Sequence, residues 1–168
     1  MNIKLQQQPY EEVGKKIYEF MINEPGIKEI FSEKCTRLIA SEFSLLIKLD
    51  DIPIGFINLV PENIDNILFL DMGICEKYRG KGYGKEAIKV LLECLGKRFS
   101  EYIIGETKQT NELANSMSNE DAELIYQKNG YNYYIFPKEK KNEFMNSELY
   151  TEFKEHCGNV PTKKKTLR

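Results

Sequence analysis

Seven consecutive residues, Arg79-Gly80-Lys81-Gly82-Tyr83-Gly84-Lys85, carry the clearest chemistry in this chain. They stand between an apolar run from Ile67 to Ile74 and an amphipathic run from Glu86 to Phe99, which reads as strand, glycine-rich loop and helix N-terminus in succession. Such a loop turns backbone N–H groups outward, and the helix dipole places partial positive charge behind them. Glycine lets an anion approach the backbone and supplies positive φ where the turn needs it. A phosphate or pyrophosphate is the expected ligand. A P-loop is excluded, because no Gly-Lys-Ser/Thr triplet follows. Glycines at 80, 82 and 84 give G-x-G-x-G, which lacks the G-x-G-x-x-G spacing of a dinucleotide fold.

What remains is R-x-x-G-x-G, formed by Arg79, Gly82 and Gly84, and on these residues the chain resembles the GNAT superfamily of N-acetyltransferases. A second segment, Asn119 to Tyr131, resembles that family's N-x-x-A/S-x-x-x-Y-x-K-x-G-F/Y pattern, with Asn111 as a competing position for the asparagine. The resemblance implies acetyl-CoA as co-substrate, no metal, and a GNAT-like α/β fold. That fold is a mixed, mostly antiparallel sheet whose parallel pair splays around the acetyl-CoA site, with helices on both faces. It implies a pyrophosphate site on Arg79, Gly80, Lys81, Gly82, Tyr83, Gly84 and Lys85, joined by Asn119. The side chains of Arg79 and Lys81 are read either as phosphate contacts or as solvated loop charges, with the loop amides mattering more.

In the chemistry so implied, an amine attacks the thioester directly, and a backbone N–H stabilises the developing oxyanion. The resemblance assigns that donor to Ile74, with Met72 adding backbone bonds to the pantetheine arm. It assigns protonation of the leaving thiolate to Tyr126, whose other reading is a packed core ring. A general base is needed for the ammonium. Many relatives place a glutamate where this chain has Leu68, so Asp71 and Glu106, on the strands flanking the gap, are the substitutes, with a water relay as the alternative.

The elements that must position these residues follow from pattern. Ile3 to Leu5 reads as a first strand, and Val13, Ile17, Phe20 and Met21 mark a helix. Ile27 to Leu38 reads as a second helix. Three antiparallel strands follow at Phe43–Leu49, Ile54–Val60 and Ile67–Ile74. After the loop and its helix comes a strand at Tyr102–Thr107, parallel to its predecessor. Asn119 to Lys128 is expected to be a helix, with Asn119 as N-cap and Gly130 as C′ residue. Tyr131 to Phe136 is the last strand, and Asn142 to Cys157 a C-terminal helix in place of the family's usual final hairpin strand. Tyr131, Tyr133, Tyr134 and Phe136 could line a groove, but alternation makes half of them core.

At 168 residues, with 41% hydrophobic and 30% charged, the chain suits one soluble domain over 1–157, followed by a flexible basic tail over 158–168. A net charge of −2 gives no sign of a nucleic-acid or anionic-membrane partner. Lys163, Lys164, Lys165 and Arg168 concentrate positive charge at the end, leaving a more acidic body that suits a cationic amine. Four cysteines without a C-x-x-C pair and a single His156 argue against structural zinc and for reduced thiols. There is no apolar run of about 18 residues and no leader pattern, so a cytoplasmic protein is expected, as monomer or homodimer. The acceptor that the resemblance implies is a primary amine, on a small polyamine- or aminoglycoside-like molecule or on a protein. Two other classes stay open: a non-catalytic acyl-CoA sensor and a tail-mediated nucleic-acid binder.

Overall fold

A computed structural model describes residues 2–28, 44–61, 64–96, 99–111, 115 and 121–159. The expected second helix beyond residue 28, Asn119, and the expected tail beyond residue 159 lie outside the described residues. The element order is β1 (Ile3–Gln6), α1 (Tyr10–Asn23), β2 (Ser44–Leu49), β3 (Ile52–Pro61), β4 (Ile67–Ile74), α2 (Tyr83–Leu95), β5 (Tyr102–Lys108), β6 (Glu123–Lys128), β7 (Tyr131–Phe136), α3 (Lys141–Met145) and α4 (Glu148–Asn159). The strands form one seven-stranded sheet in the order β1-β2-β3-β4-β5-β7-β6. Among the described strands only β4 and β5 pair in parallel; every other neighbour is antiparallel.

Alternation along the strands divides the core between the two faces. On one face α2 buries Ala87, Ile88 and Leu91 against Ile57, Leu68, Leu70, Ile103, Tyr134 and Phe136. On the other face the apolar surface is split in two. α1 lays Val13, Ile17, Phe20 and Met21 over Leu46 and Phe56. α3 and α4 lay Phe144, Phe153 and Cys157 over Phe69, Ile104, Tyr133 and Ile135. Phe153 is the hub of this second cluster, with ring centroids 5.4 Å from Tyr133, 5.8 Å from Phe144, 6.0 Å from Tyr126 and 6.3 Å from Phe69.

Two expectations are corrected. Glu123 to Lys128 is a strand, not the end of a helix, and it pairs with β7 from Lys128↔Tyr131 to Glu123↔Ile135. The hairpin turns on Asn129 (φ 53°) and Gly130 (φ 82°), the pair of positive φ values that a two-residue type I′ turn requires. Gly130 is therefore a hairpin residue rather than a helix C′, and the final hairpin is present. The C-terminal helix is also two helices, broken at Asn146–Ser147, where the Ser147 hydroxyl donates to the Phe144 carbonyl at 2.6 Å.

Where α1 ends, Cys75 is 4% exposed and its thiol meets Glu24. Burial first, and then the Glu24 charge, push the thiol from 9.0 up to about 12.

Phe153→Ala is expected to cost about 3–5 kcal/mol in denaturant unfolding, with an unchanged slope, since it empties the centre of the aromatic cluster. The raised Cys75 value also has a thermodynamic consequence. The folded state keeps its proton where the unfolded thiol loses it, so stability holds below about pH 9 and declines as pH rises toward about 12. Cys75→Ala should flatten that part of the stability–pH curve relative to wild type.

Candidate functional site

The parallel ladder between β4 and β5 has four positions, Ile67↔Tyr102 to Leu70↔Gly105, and stops there. β4 nevertheless continues to Ile74 on its β3 partner Gly55, and β5 continues to Lys108 on its β7 partner Tyr131. The two central strands therefore part company inside the sheet. One more step of parallel pairing would set Asp71 opposite Glu106, and like charges so placed are unfavourable.

The phase of the β3–β4 ladder decides which backbone groups face this gap. Cys75 N–H donates to the Ile54 carbonyl at 2.8 Å, so odd-numbered β4 residues exchange bonds with β3. Even-numbered residues present N–H and C=O to the β5 side. Leu68 and Leu70 meet β5 there, whereas Met72 and Ile74 point where β5 has gone. The structure thus places both backbones that the sequence singled out along the gap. Their side chains pack on the α2 face.

The glycine loop opens on that same α2 face. Gly80 (φ 73°) and Gly82 (φ 84°) both need positive φ, and a Cβ on either would meet nothing within 4 Å, so the loop backbone is open to a ligand. Gly82 caps α2, and its carbonyl accepts from Glu86 N–H at 3.1 Å. The N–H groups at the start of the first turn, from Tyr83 and Gly84, have no intrahelical acceptor. Lys81 is exposed; Tyr83 and Lys85 are half-buried, and the Tyr83 ring lies 6.3 Å from that of Tyr78. Beside the loop, toward β1, a cavity of about 410 Å³ is lined by Lys81, Gly82, Tyr83 and Glu86 together with Asn2 and Ile3. Arg79, read as a phosphate contact or a solvated loop charge, has its side chain held by two backbone carbonyls. Its Nε donates to the Ile74 carbonyl at 2.7 Å and its Nη2 to the Pro25 carbonyl at 3.1 Å.

The opposite face carries the carboxylates. Register puts Ser44, Asn58 and Asp71 in one row across β2, β3 and β4, and Glu106, Tyr133 and Tyr126 in a matching row across β5, β7 and β6. The rows meet at the gap, and the second runs into the α3–α4 cluster, which includes Tyr133 and Tyr126. The Tyr133 hydroxyl is hydrogen-bonded to Glu106. Burial above all, and then the charge of Glu106, hold this phenol well above its ordinary value. At the C-terminal end of α4, His156 reaches the same region, with its ring 6.0 Å from Phe69.

Tyr126 is the main correction at the site. It stands on β6, separated from the gap by β7 and β5, with its ring centroid 6.0 Å from those of Tyr133 (tilted) and Phe153 (edge-on). Two strand spacings, about 10 Å, lie between its backbone and that of β5. The helix expected at this position is absent, so the structure does not bring its hydroxyl to the gap. The packed reading of the ring is the one the structure supports.

Two residues were missed. Asn58 is 8% exposed, and its Oδ1 is buried with no hydrogen-bond partner among the described residues. A polar residue inside the apolar run Ile54 to Val60 was the available signal. Asn115 clamps the far end of β5. Its Nδ2 donates to the carbonyls of Asn111 (2.8 Å), Lys108 (3.1 Å) and Gln109 (3.3 Å). Its Oδ1 accepts from the Tyr134 hydroxyl (2.9 Å) and Asn132 (3.1 Å).

The sheet order, the interrupted parallel pair and the glycine loop have counterparts among known proteins. No curated protein matches the chain by sequence. Solved structures match its fold at low identity. One is AAC(6′)-Ib in complex with paromomycin and acetyl-CoA (TM-score 0.62, 15% identity, 88% of this chain and 99% of that one). A second is the Salmonella typhimurium acetyltransferase that modifies the N-terminal serine of ribosomal protein L7/L12 (0.58, 14%, 80% and 94%). A third is the PaiA N-acetyltransferase of Thermoplasma acidophilum in complex with coenzyme A (0.54, 16%, 82% and 99%). The family model described as acetyltransferase (GNAT) domain matches residues 40–133, more than half of the sequence. The chain belongs to the GNAT family of N-acetyltransferases.

Proposed function

We propose that this chain transfers an acetyl group from acetyl-CoA to a cationic primary amine, with the two substrates meeting through the gap between β4 and β5 from opposite faces of the sheet. The observation that carries this reading is the placement of different chemistry on the two sides of one opening. The open glycine loop and the α2 N-terminus lie on one face. The rows ending in Asp71 and Glu106 lie on the other. The N–H groups of Met72 and Ile74 point into the gap between them.

The residues present fit the cofactor. The loop amides at Gly82 to Lys85 and the α2 dipole suit a pyrophosphate, and Lys81 and Lys85 add positive charge there. Acetyl-CoA supplies the activated acyl group. The Ile74 N–H is preorganised to hold negative charge on the thioester oxygen, at a point where no strand competes for it. On the other face Asp71 and Glu106 attract an ammonium, and one of them takes its proton so that the neutral amine can attack. Tyr133 keeps Glu106 oriented by donating to it. Asn58, on the β3 position opposite Asp71, sits beside the route that such an amine would follow. Of the solved neighbours, one is in complex with paromomycin and another modifies a protein N-terminal serine, molecules of very different size; the two carboxylates and the acidic body favour the small polycationic class here.

A free-thiol assay with acetyl-CoA and a panel of amines tests the reading. CoA release stimulated by a polyamine or aminoglycoside supports it; binding of acetyl-CoA with no release from any amine would identify a sensor instead. Asp71→Asn and Glu106→Gln, taken singly, should separate the roles: the base variant loses about 10²- to 10⁴-fold in kcat/KM with acetyl-CoA affinity retained. The other should mainly raise KM for the amine. Gly82→Ala should weaken acetyl-CoA binding in calorimetry and cost about 1–2 kcal/mol of stability, because an L residue at φ 84° is strained.

A further inference from the structure

We infer that Arg79, the first residue of the glycine motif, is a positioning residue that stands in for the missing β5 partner at Ile74 and ties the open end of the gap to the C-terminal turn of α1. Beyond Leu70 the carbonyls on the β5 side of β4 have lost their ladder partners. An orphaned backbone carbonyl in a part-buried setting needs a donor. Arg79 Nε supplies one to Ile74 at 2.7 Å, a short, charge-assisted contact. The same guanidinium donates through Nη2 to the Pro25 carbonyl at 3.1 Å. Its planar fork is therefore engaged by two carbonyls from segments 49 residues apart in sequence, one at the gap and one at the end of α1.

The turn receiving it is shaped for the guanidinium. Gly26 has φ +80°, and a Cβ there would be driven into the Arg79 head group. Ile27 is 1% exposed and lies over Gly73, where an added Cβ would meet the Ile27 Cδ1 at 3.1 Å. Glu24 holds the Cys75 thiol on the same side. The α1 turn is thus fastened to the end of β4 by Arg79, by Ile27 and by the Glu24–Cys75 contact. Arg79 acts on the reaction through the Ile74 peptide and not through the cofactor's phosphates. It also links the acceptor face, where α1 lies, to the thioester site.

The inference rests on the acetyl-transfer reading for its kinetic test, and a thioester without phosphates separates the two ideas. Arg79→Ala, Arg79→Lys and Gly26→Ala are compared with wild type using acetyl-CoA and acetyl-pantetheine, well below each variant's Tm. A positioning role predicts that Arg79→Ala loses about 10- to 100-fold in kcat with both donors, since small misplacements at a reacting centre carry losses of that size. Methylguanidinium should restore part of the loss. Gly26→Ala should show a smaller loss of the same kind, non-additive with Arg79→Ala. A loss confined to acetyl-CoA and expressed as weaker binding would make Arg79 a phosphate ligand and overturn the inference while leaving the transferase standing. Amide hydrogen exchange of the free proteins gives a readout independent of turnover. Arg79→Ala should speed exchange together at residues 72–75 and 24–27, at least tenfold, and leave the middle of α2 unchanged. Unchanged exchange at 72–75 would refute the inference. Wild type inactive with every amine would sink the transfer reading alone.

Discussion

The early end of the β4–β5 ladder governs the rest of this molecule. A parallel pair in the middle of a sheet would ordinarily run the length of its strands, since each unpaired backbone group carries a penalty. Here pairing stops after Leu70↔Gly105 although both strands continue, each held by its outer neighbour. Of the remaining positions on the β5 side of β4, the Ile74 carbonyl accepts from Arg79, and the N–H groups of Met72 and Ile74 face the gap. Asp71 and Glu106 mark the point of divergence and make further closure unfavourable. The opening is therefore built into the sheet and needs no moving part to create it.

The surrounding structure can be understood as what keeps that opening fixed. On the α2 face the core is continuous from β1 to β7, which anchors the glycine loop to both sides of the gap. On the other face two separate clusters, one under α1 and one under α3 and α4, grip the sheet. Asn115 secures the end of β5 to β7, and Arg79 secures the end of β4 to α1. The strands are thus prevented from zipping together and from drifting apart. No helix among the described residues is long and apolar enough to cross a membrane.

Much of this was legible because it depended on local pattern. The meander from β2 to β4, the glycine loop and α2 each carry their own periodicity and turn residues, and the likeness of Arg79, Gly82 and Gly84 to a known motif pointed to the family. The segment from Asn119 to Gly130 misled because two local signals conflicted. Ala122, Ile125 and Tyr126 have helical spacing, yet Asn129-Gly130 is a strong hairpin signal, and pairing with β7 decided the outcome. Ala122 and Ile125 are both buried, but on opposite faces of the sheet. Arg79, read as a phosphate contact or a solvated loop charge, was not legible for a different reason: its bond to the Pro25 carbonyl is a long-range contact that the loop sequence does not show. Asn58 and Asn115 depend on cross-strand register and a tertiary network, neither of which spacing along one strand reveals.

The central claim is that the gap, and not the glycine loop alone, receives the thioester. The most direct measurement is an amide NMR titration of the isotope-labelled protein with acetyl-CoA. The account predicts that the Met72 and Ile74 N–H resonances shift in step with those of Gly80 to Lys85, with the same midpoint. Shifts confined to the loop, with Met72 and Ile74 unmoved at saturation, would contradict it.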